Sequence, residues 1–249
     1  MKIYYFTRKK MLTVGIIVLL ISTLLGIVLT CYSNAIMTSK AADPIYQGNT
    51  GKKVVAITVN VDWGEEFIPA MLEQFKKNDA KVTFFVTGVW AQKHPELLKQ
   101  MYKEGHSIQN HGYKHIHFNS LSAGDTGKEI KKAEDIIYGI TKHKTSYFAP
   151  PSGEFNQEVA RGTGDIGYKL IMWSVDTIDW QRPSPYIIVN RVMKKVHNDA
   201  IILMHPTEPT QKALPDMLKQ LTDEEYKMVT IDKILVTAPG KKINNVEKQ

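Results

Sequence analysis

The chain of 249 residues is 43% hydrophobic, 23% charged and 9% aromatic, with sixteen glycines and eleven prolines, which excludes collagen-like, coiled-coil and disordered classes. Of its +7 net charge, Lys2, Arg8, Lys9 and Lys10 supply four, so the basic balance is an end effect and not a stripe for nucleic acid. Cys31 is the sole cysteine, which rules out an intramolecular disulfide and a cysteine-built metal site.

Residues 1–10 read as a basic cytoplasmic segment. The uncharged run that follows, residues 11–31, reads as a transmembrane anchor, since twenty helical residues rise about 30 Å, the thickness of a bilayer core. A cleaved signal peptide is the alternative, although its apolar stretch is usually only ~7–15 residues. Cations ahead of the span favour a single pass in the cell membrane with the remainder extracytoplasmic, or secreted if cleavage occurs. Residues 32–51 read as a polar linker, 52–237 as one folded domain and 238–249 as a polar tail.

Within the domain, β-rich runs alternate with helix-period segments. Strands are predicted at Lys53–Val61, Lys81–Val86, Ser107–Asn110, Ser146–Phe148, Lys169–Val175, Ala200–Met204 and Met228–Ile231. Helices are predicted at Glu66–Lys77, Pro95–Glu104, Gly127–Thr141, after Glu154, Pro185–Val196 and Lys212–Tyr226. That alternation predicts an α/β fold with a parallel sheet, as a closed barrel or a doubly wound sheet. Asp62, His111, Pro150-Pro151, Asp176, Asp179 and His205 all fall at the carboxyl ends of strands. In a parallel barrel those ends share the face on which active sites are built.

His111 and His115 stand four residues apart, so on a helical turn both imidazoles point the same way. With Asp62 they form three N/O ligands and leave a place for water, the pattern of a catalytic zinc, although the same set suits non-haem iron. His205 follows a wholly apolar strand. A carboxylate from Asp176-Thr177-Ile178-Asp179 is placed to fix its tautomer and raise its basicity.

Together these residues resemble the polysaccharide deacetylases of the NodB type, carbohydrate esterase family 4, over roughly residues 53–235. Five motifs carry the likeness, in order: Ile57–Gly64, His111-Gly-Tyr-Lys-His115, Ala149-Pro-Pro-Ser-Gly153, Asp176–Trp180 and Leu203-Met-His205. The resemblance implies a distorted (β/α)7-8 barrel and metal-dependent removal of acetyl groups from a sugar polymer, here a cell-wall polysaccharide such as peptidoglycan. It implies a divalent metal, usually zinc, on Asp62, His111 and His115, with His205 as general acid oriented by Asp179. The backbone N–H of Ser152 is the implied oxyanion donor, and Tyr113, Pro151 and Trp180 are candidate sugar contacts.

Two positions depart from the family pattern. Typical first motifs read T-F-D-D, and Asn60 stands where the first Asp acts as base. Ala149 replaces the third-motif arginine that pairs with that base. The losses agree physically, because an arginine beside an uncharged amide would be buried without a partner, at a cost of roughly several kcal/mol. Trp63-Gly64 resembles a sporulation-associated branch. Two readings follow: a deacetylase weakened by the loss of its base, or a non-catalytic module that binds cell-wall glycan.

Overall fold

The structure is a computed structural model that describes residues 7–37 and 41–235, with side chains left aside at 31–37. The expected tail at 238–249 lies outside the described residues. Helix α1 (Arg8–Met37) is apolar all round, and its stretch Arg8–Thr30 is long and apolar enough to cross a membrane. It continues into the expected linker because nothing from Cys31 to Met37 breaks a helix: there is neither glycine nor proline.

In the second unit, strands and helices follow as β1 (Val54–Val61), α2 (Ile68–Lys77), β2 (Thr83–Val86), α3 (Gly88–Lys93), α4 (Pro95–Lys103), β3 (Ser107–Asn110) and α5 (Ala123–Thr141). The chain goes on through β4 (Tyr147–Phe148), α6 (Gln157–Asp165), β5 (Lys169–Leu170), β6 (Val175–Asp176), α7 (Pro185–Lys195), β7 (Ala200–Met204), α8 (Glu208–Asp223), β8 (Lys227–Val229) and α9 (Ile231–Ile234). All strand pairs are parallel, in the order β5-β4-β3-β2-β1-β7-β6. β8 joins the first half of β1, over Val54–Ala56, and β2 joins the second half, from Thr58. The result is a distorted parallel half-barrel wrapped by helices, in agreement with the fold read from the sequence.

Alternation along β1 fixes what faces where. Val55, Ile57, Val59 and Val61 enter the large core under the helices, packing with Ile68, Met71, Leu72 and Phe75 of α2 and Leu214, Met217 and Leu218 of α8. Ala56 turns the other way, into an inner cluster with Phe85, Ile201 and Ile231. Asn60 shares Ala56's parity and therefore reaches the mouth of the barrel. Leu203 and His205 follow the same rule from Ile201.

The predicted strand Lys169–Val175 is not one strand. Its two halves are β5 and β6, at opposite ends of the sheet order. Between them the chain spans the open side of the barrel, where Ile171 bridges to Ile45. Nor are residues 41–51 a free linker. Ala42 N–H donates to Ala160 O, Gln47 bridges to Ala200, and the Asp199 carboxylate accepts from Thr50 Oγ1 and Gly51 N–H.

Candidate functional site at the mouth of the barrel

A cavity of about 510 Å³ opens at the carboxyl ends of the strands. β1 supplies Asn60, the bend after it Trp63, and the loop after β3 His111 and His115. Ser152 and Gly153 come from the turn after β4, Trp173 and Asp176 from the crossing to β6, and Trp180 from just beyond it. Leu203 and His205 complete the wall from β7.

His205 is the most tightly positioned of these groups. Asp179 is fully buried, and its Oδ1 lies 2.8 Å from His205 Nδ1. Its Oδ2 accepts from His205 N–H at 2.7 Å and Thr210 Oγ1 at 2.6 Å. With both carboxylate oxygens engaged, Nδ1 carries the hydrogen and Nε2 is the free ring nitrogen. Trp63 lies parallel to the imidazole, 6.2 Å between centroids and 7° between planes. Ile178, a β-branched residue at φ 51°, makes the sharp turn that brings Asp179 beneath His205. Asp176 Oδ1 accepts from Ile178 N–H at 2.8 Å, and Arg191 Nη1 donates to Thr177 O at 2.9 Å, holding that turn.

His111 is buried, and its Nδ1–H donates to Ala149 O at 2.6 Å. Burial above all, with the neighbouring His115 adding to it, pushes its pKa down to about 3, so the ring is neutral and Nε2 is a lone-pair donor. His115 is exposed, and its ring meets His111 at 5.4 Å and 64°. The pair does converge, but on an irregular loop with Gly112 at φ 82°, not on the helical turn expected from the spacing.

The expected third ligand does not join them. β1 ends at Val61, the chain bends, and Asp62 Oδ1 accepts a 2.6 Å hydrogen bond from Thr87 Oγ1, the cap of α3. Asp62 does not line the cavity. Among the described residues, no group of three or more His, Cys, Asp or Glu side chains is gathered to hold a metal. A catalytic zinc takes three protein ligands, and two imidazoles fall one short. The residues present therefore do not fit the family's metal.

Asn60 occupies the place of the missing carboxylate. It is 5% exposed, it lines the cavity, and its Oδ1 is buried without a hydrogen-bond partner. Burying such a group unpaired costs about 1–3 kcal/mol unless something in the pocket donates to it. Among the candidate sugar contacts, Trp180 lines the cavity and is 57% exposed. Tyr113 does not line it. Its ring lies against Gly88 and under Lys132 Nζ, 3.6 Å from the centroid, on a loop whose Gly112 and Tyr113 carbonyls accept from Gly88 and Val89 N–H of α3. Pro151 is buried behind Ser152, which sits at φ 58° on the cavity wall. Thr210 and Thr87 were missed by sequence reasoning. Thr87 is the cap of α3 and Thr210 lies in the first turn of α8, whose cap is Thr207; the signal was a threonine at the head of a helix that follows a strand end.

Chemically, the mouth offers three imidazoles (His205 oriented, His111 neutral and His115 exposed), an amide and three indoles, with the Asp176 carboxylate at the side. That set donates to, accepts from and stacks on a polar ring. It holds neither a carboxylate base facing the cavity from β1 nor an arginine at Ala149.

Residues 47–171 match the model of the polysaccharide deacetylase family. The chain is 32% identical over 199 residues to the peptidoglycan-N-acetylmuramic acid deacetylase PdaA of Bacillus subtilis, covering 78% of this chain and 75% of that one. The chain belongs to the polysaccharide deacetylase family. It is also 38% identical to the uncharacterized protein YlxY of B. subtilis, over 80% of this chain but only 62% of YlxY's length. Among solved structures it is similar to a CE4 family pseudoenzyme from Bacillus anthracis, at 40% identity and a TM-score of 0.76, over 79% of this chain and 70% of the other. A mutant of that pseudoenzyme is described as having restored enzymatic activity.

Proposed function

We propose that the chain is a membrane-tethered, extracytoplasmic module that binds an N-acetylated sugar of a cell-wall glycan and leaves its acetyl group in place. One observation carries this reading: the cavity wall holds the amide of Asn60, whose buried oxygen has no hydrogen-bond partner, where catalysis would need a carboxylate. An amide there accepts from a sugar N–H or O–H but takes no proton from water, and a general base is worth ~10²–10⁴ in rate. The indoles of Trp63, Trp173 and Trp180 supply faces for a pyranose ring, and the Asp179–His205 pair supplies an oriented hydrogen-bonding nitrogen. Cell-wall glycan is the ligand class because the relative PdaA is named for peptidoglycan and the basic residues ahead of α1 orient the domain outward.

The competing reading is a deacetylase of low activity, favoured by the retention of His111, His115 and the Asp179–His205 pair. Both are decided on one preparation. Full-length chain in detergent is incubated with N-acetylglucosamine oligomers and with peptidoglycan, with and without added zinc. Saturable binding with acetate release no higher than a boiled control is the expected result. Zinc-dependent acetate release that His205→Ala abolishes overturns the proposal.

A further inference from the structure

The opposite end of the barrel, where the strands begin, holds a separate cavity of about 510 Å³ that shares no residue with the one at the mouth. Lys81 and Gly105 reach it from just ahead of β2 and β3, and Lys227 from the start of β8. Asp79 comes from beyond the end of α2, and Thr230 and Lys233 from the cap and body of α9. Backbone pairing ties these pieces together, since Lys81 N–H donates to Met228 O and Ile231 N–H to Thr83 Oγ1. Tyr226 and Met228, both buried, give the cavity an apolar lining.

Charge in this cavity is one-sided: three ammonium groups line it and one carboxylate, that of Asp79. Lys81 is half-buried, with its stem along Gly105, and its Nζ donates to Glu104 O at 2.9 Å. An ammonium carries three hydrogens, so two remain for a ligand. Lys227 and Lys233 form no ion pair among the described residues, and the carboxylates beside them in sequence are engaged elsewhere. Glu225 meets Lys53, Asp223 meets Lys219, and Asp232 accepts from Ser107 Oγ. Thr230 stands at the cap of α9 without using its side chain there, which leaves its hydroxyl available too. On the same face, the last turns of α2, α4 and α7 add Lys76, Lys77, Lys103, Lys194 and Lys195. The helix macrodipole accounts for cations at helix ends, but not for Lys81 and Lys227 at strand starts.

Lysine binds phosphate as a point charge with rotatable donors, and an apolar lining beneath such charges suits the carbon skeleton of a phosphate ester. The same chain carries a span long enough to cross a membrane, which brings phospholipid within reach, and lysines are drawn to an anionic membrane surface within a Debye length. We propose that the cavity at the strand starts binds the phosphate-bearing headgroup of an anionic phospholipid. The domain then rests on the membrane by this end, and the mouth of the barrel faces away from it. The inference rests on the membrane-tethered part of the reading above and is independent of what occupies the mouth.

The test reconstitutes the full-length chain in nanodiscs of phosphatidylcholine and of phosphatidylglycerol and compares hydrogen exchange. Amides of residues 78–81 and 222–233 are expected to exchange about tenfold more slowly in phosphatidylglycerol. Lys227→Gln with Lys233→Gln, both at exposed positions, is expected to remove most of that slowing. The charge-matched pair Lys194→Gln with Lys195→Gln, outside the cavity, is expected to leave it within about twofold. Equal exchange in the two lipids overturns the proposal. So does equal loss with both lysine pairs, which would mean diffuse attraction and no built site. Titration calorimetry in neutral detergent with glycerol 3-phosphate separates the remaining source: binding there, with no difference between the nanodiscs, assigns the cavity to a soluble phosphate and overturns the lipid. A chain recovered without lipid overturns the tethered reading together with the inference, whereas a chain that enters both nanodiscs with equal exchange overturns the inference alone.

Discussion

His106 provides a quantitative test of how the β2–β3 region of the barrel is held. The ring is 4% exposed, lies edge-on to Phe75 and Phe84, and accepts a 3.2 Å hydrogen bond from Val82 N–H through Nδ1. A protonated imidazole has no acceptor, so Val82 N–H would lose its partner and a charge would enter an apolar layer. Burial, helped by the Lys81 charge and opposed by Glu104, pushes the pKa down from 6.5 to about 4. The sign follows from proton counting. Between those values the unfolded chain binds a proton that the folded chain refuses, so falling pH favours unfolding. This stability is fully present above about pH 6.5 and is lost progressively as pH drops toward about 4, a difference of about 3 kcal/mol. The comparison is His106→Asn, whose carbonyl still accepts from Val82 but does not titrate. Urea unfolding of the full chain in detergent, followed by tryptophan fluorescence at pH 7.5 down to 4.5, should show the wild type losing about 2–3 kcal/mol more than the variant. A wild-type-minus-variant difference that stays constant across that range would refute the reasoning.

Three further outcomes are expected. Asp179→Ala strands the His205 N–H, His205 Nδ1–H and Thr210 hydroxyl donors, so a loss of about 3 kcal/mol, or roughly 6–12 °C in Tm, should appear in thermal melts. Gly64→Ala places a Cβ 2.1 Å from Pro206 O at φ 83°, which should displace Trp63 from His205; oligosaccharide titration should record at least a tenfold loss of affinity. Asn60→Asp adds a carboxylate to the cavity that His111 and His115 line, so that a carboxylate joins the two imidazoles in one cavity. Dialysed variant should therefore retain about one zinc per chain by elemental analysis, well above the wild type, and equal zinc in both would count against that geometry.

The sheet was legible wherever a strand was long enough to form a near-continuous apolar run. β1 and β7 were readable because apolar residues fill both faces until a polar side chain breaks the pattern at the mouth, as Asn60 and His205 do. Lys169–Val175 misled for the same reason, since an apolar run states that a segment is buried but not which sheet edge receives each half. The start of α5 at Ala123, earlier than the predicted Gly127, was signalled by Ser122, whose hydroxyl accepts from Asp125 N–H. α8 begins at Glu208, one turn ahead of the predicted Lys212, and runs through Pro215 as the predicted helix does. For the site, strand-end placement found His111, Asp179 and His205. It did not find the destination of Asp62, because a side chain just past a strand end answers to whatever neighbour lies within reach, here Thr87. Aromatics were harder still. Trp180 lines the cavity and Tyr113 packs against helices, a difference set by tertiary neighbours that spacing does not encode.

The segment from Ala42 to Gly51 works as a seam. Backbone pairing fastens Ile45 beside β5 and Gln47 beside β7, while the Asp199 carboxylate clasps Thr50 and Gly51. Because the chain from α1 enters the domain through this stitched stretch, any tension along it is borne by the seam before it reaches β1. A fragment begun at Lys52 would discard that stitching and leave the Asp199 carboxylate without Thr50 and Gly51.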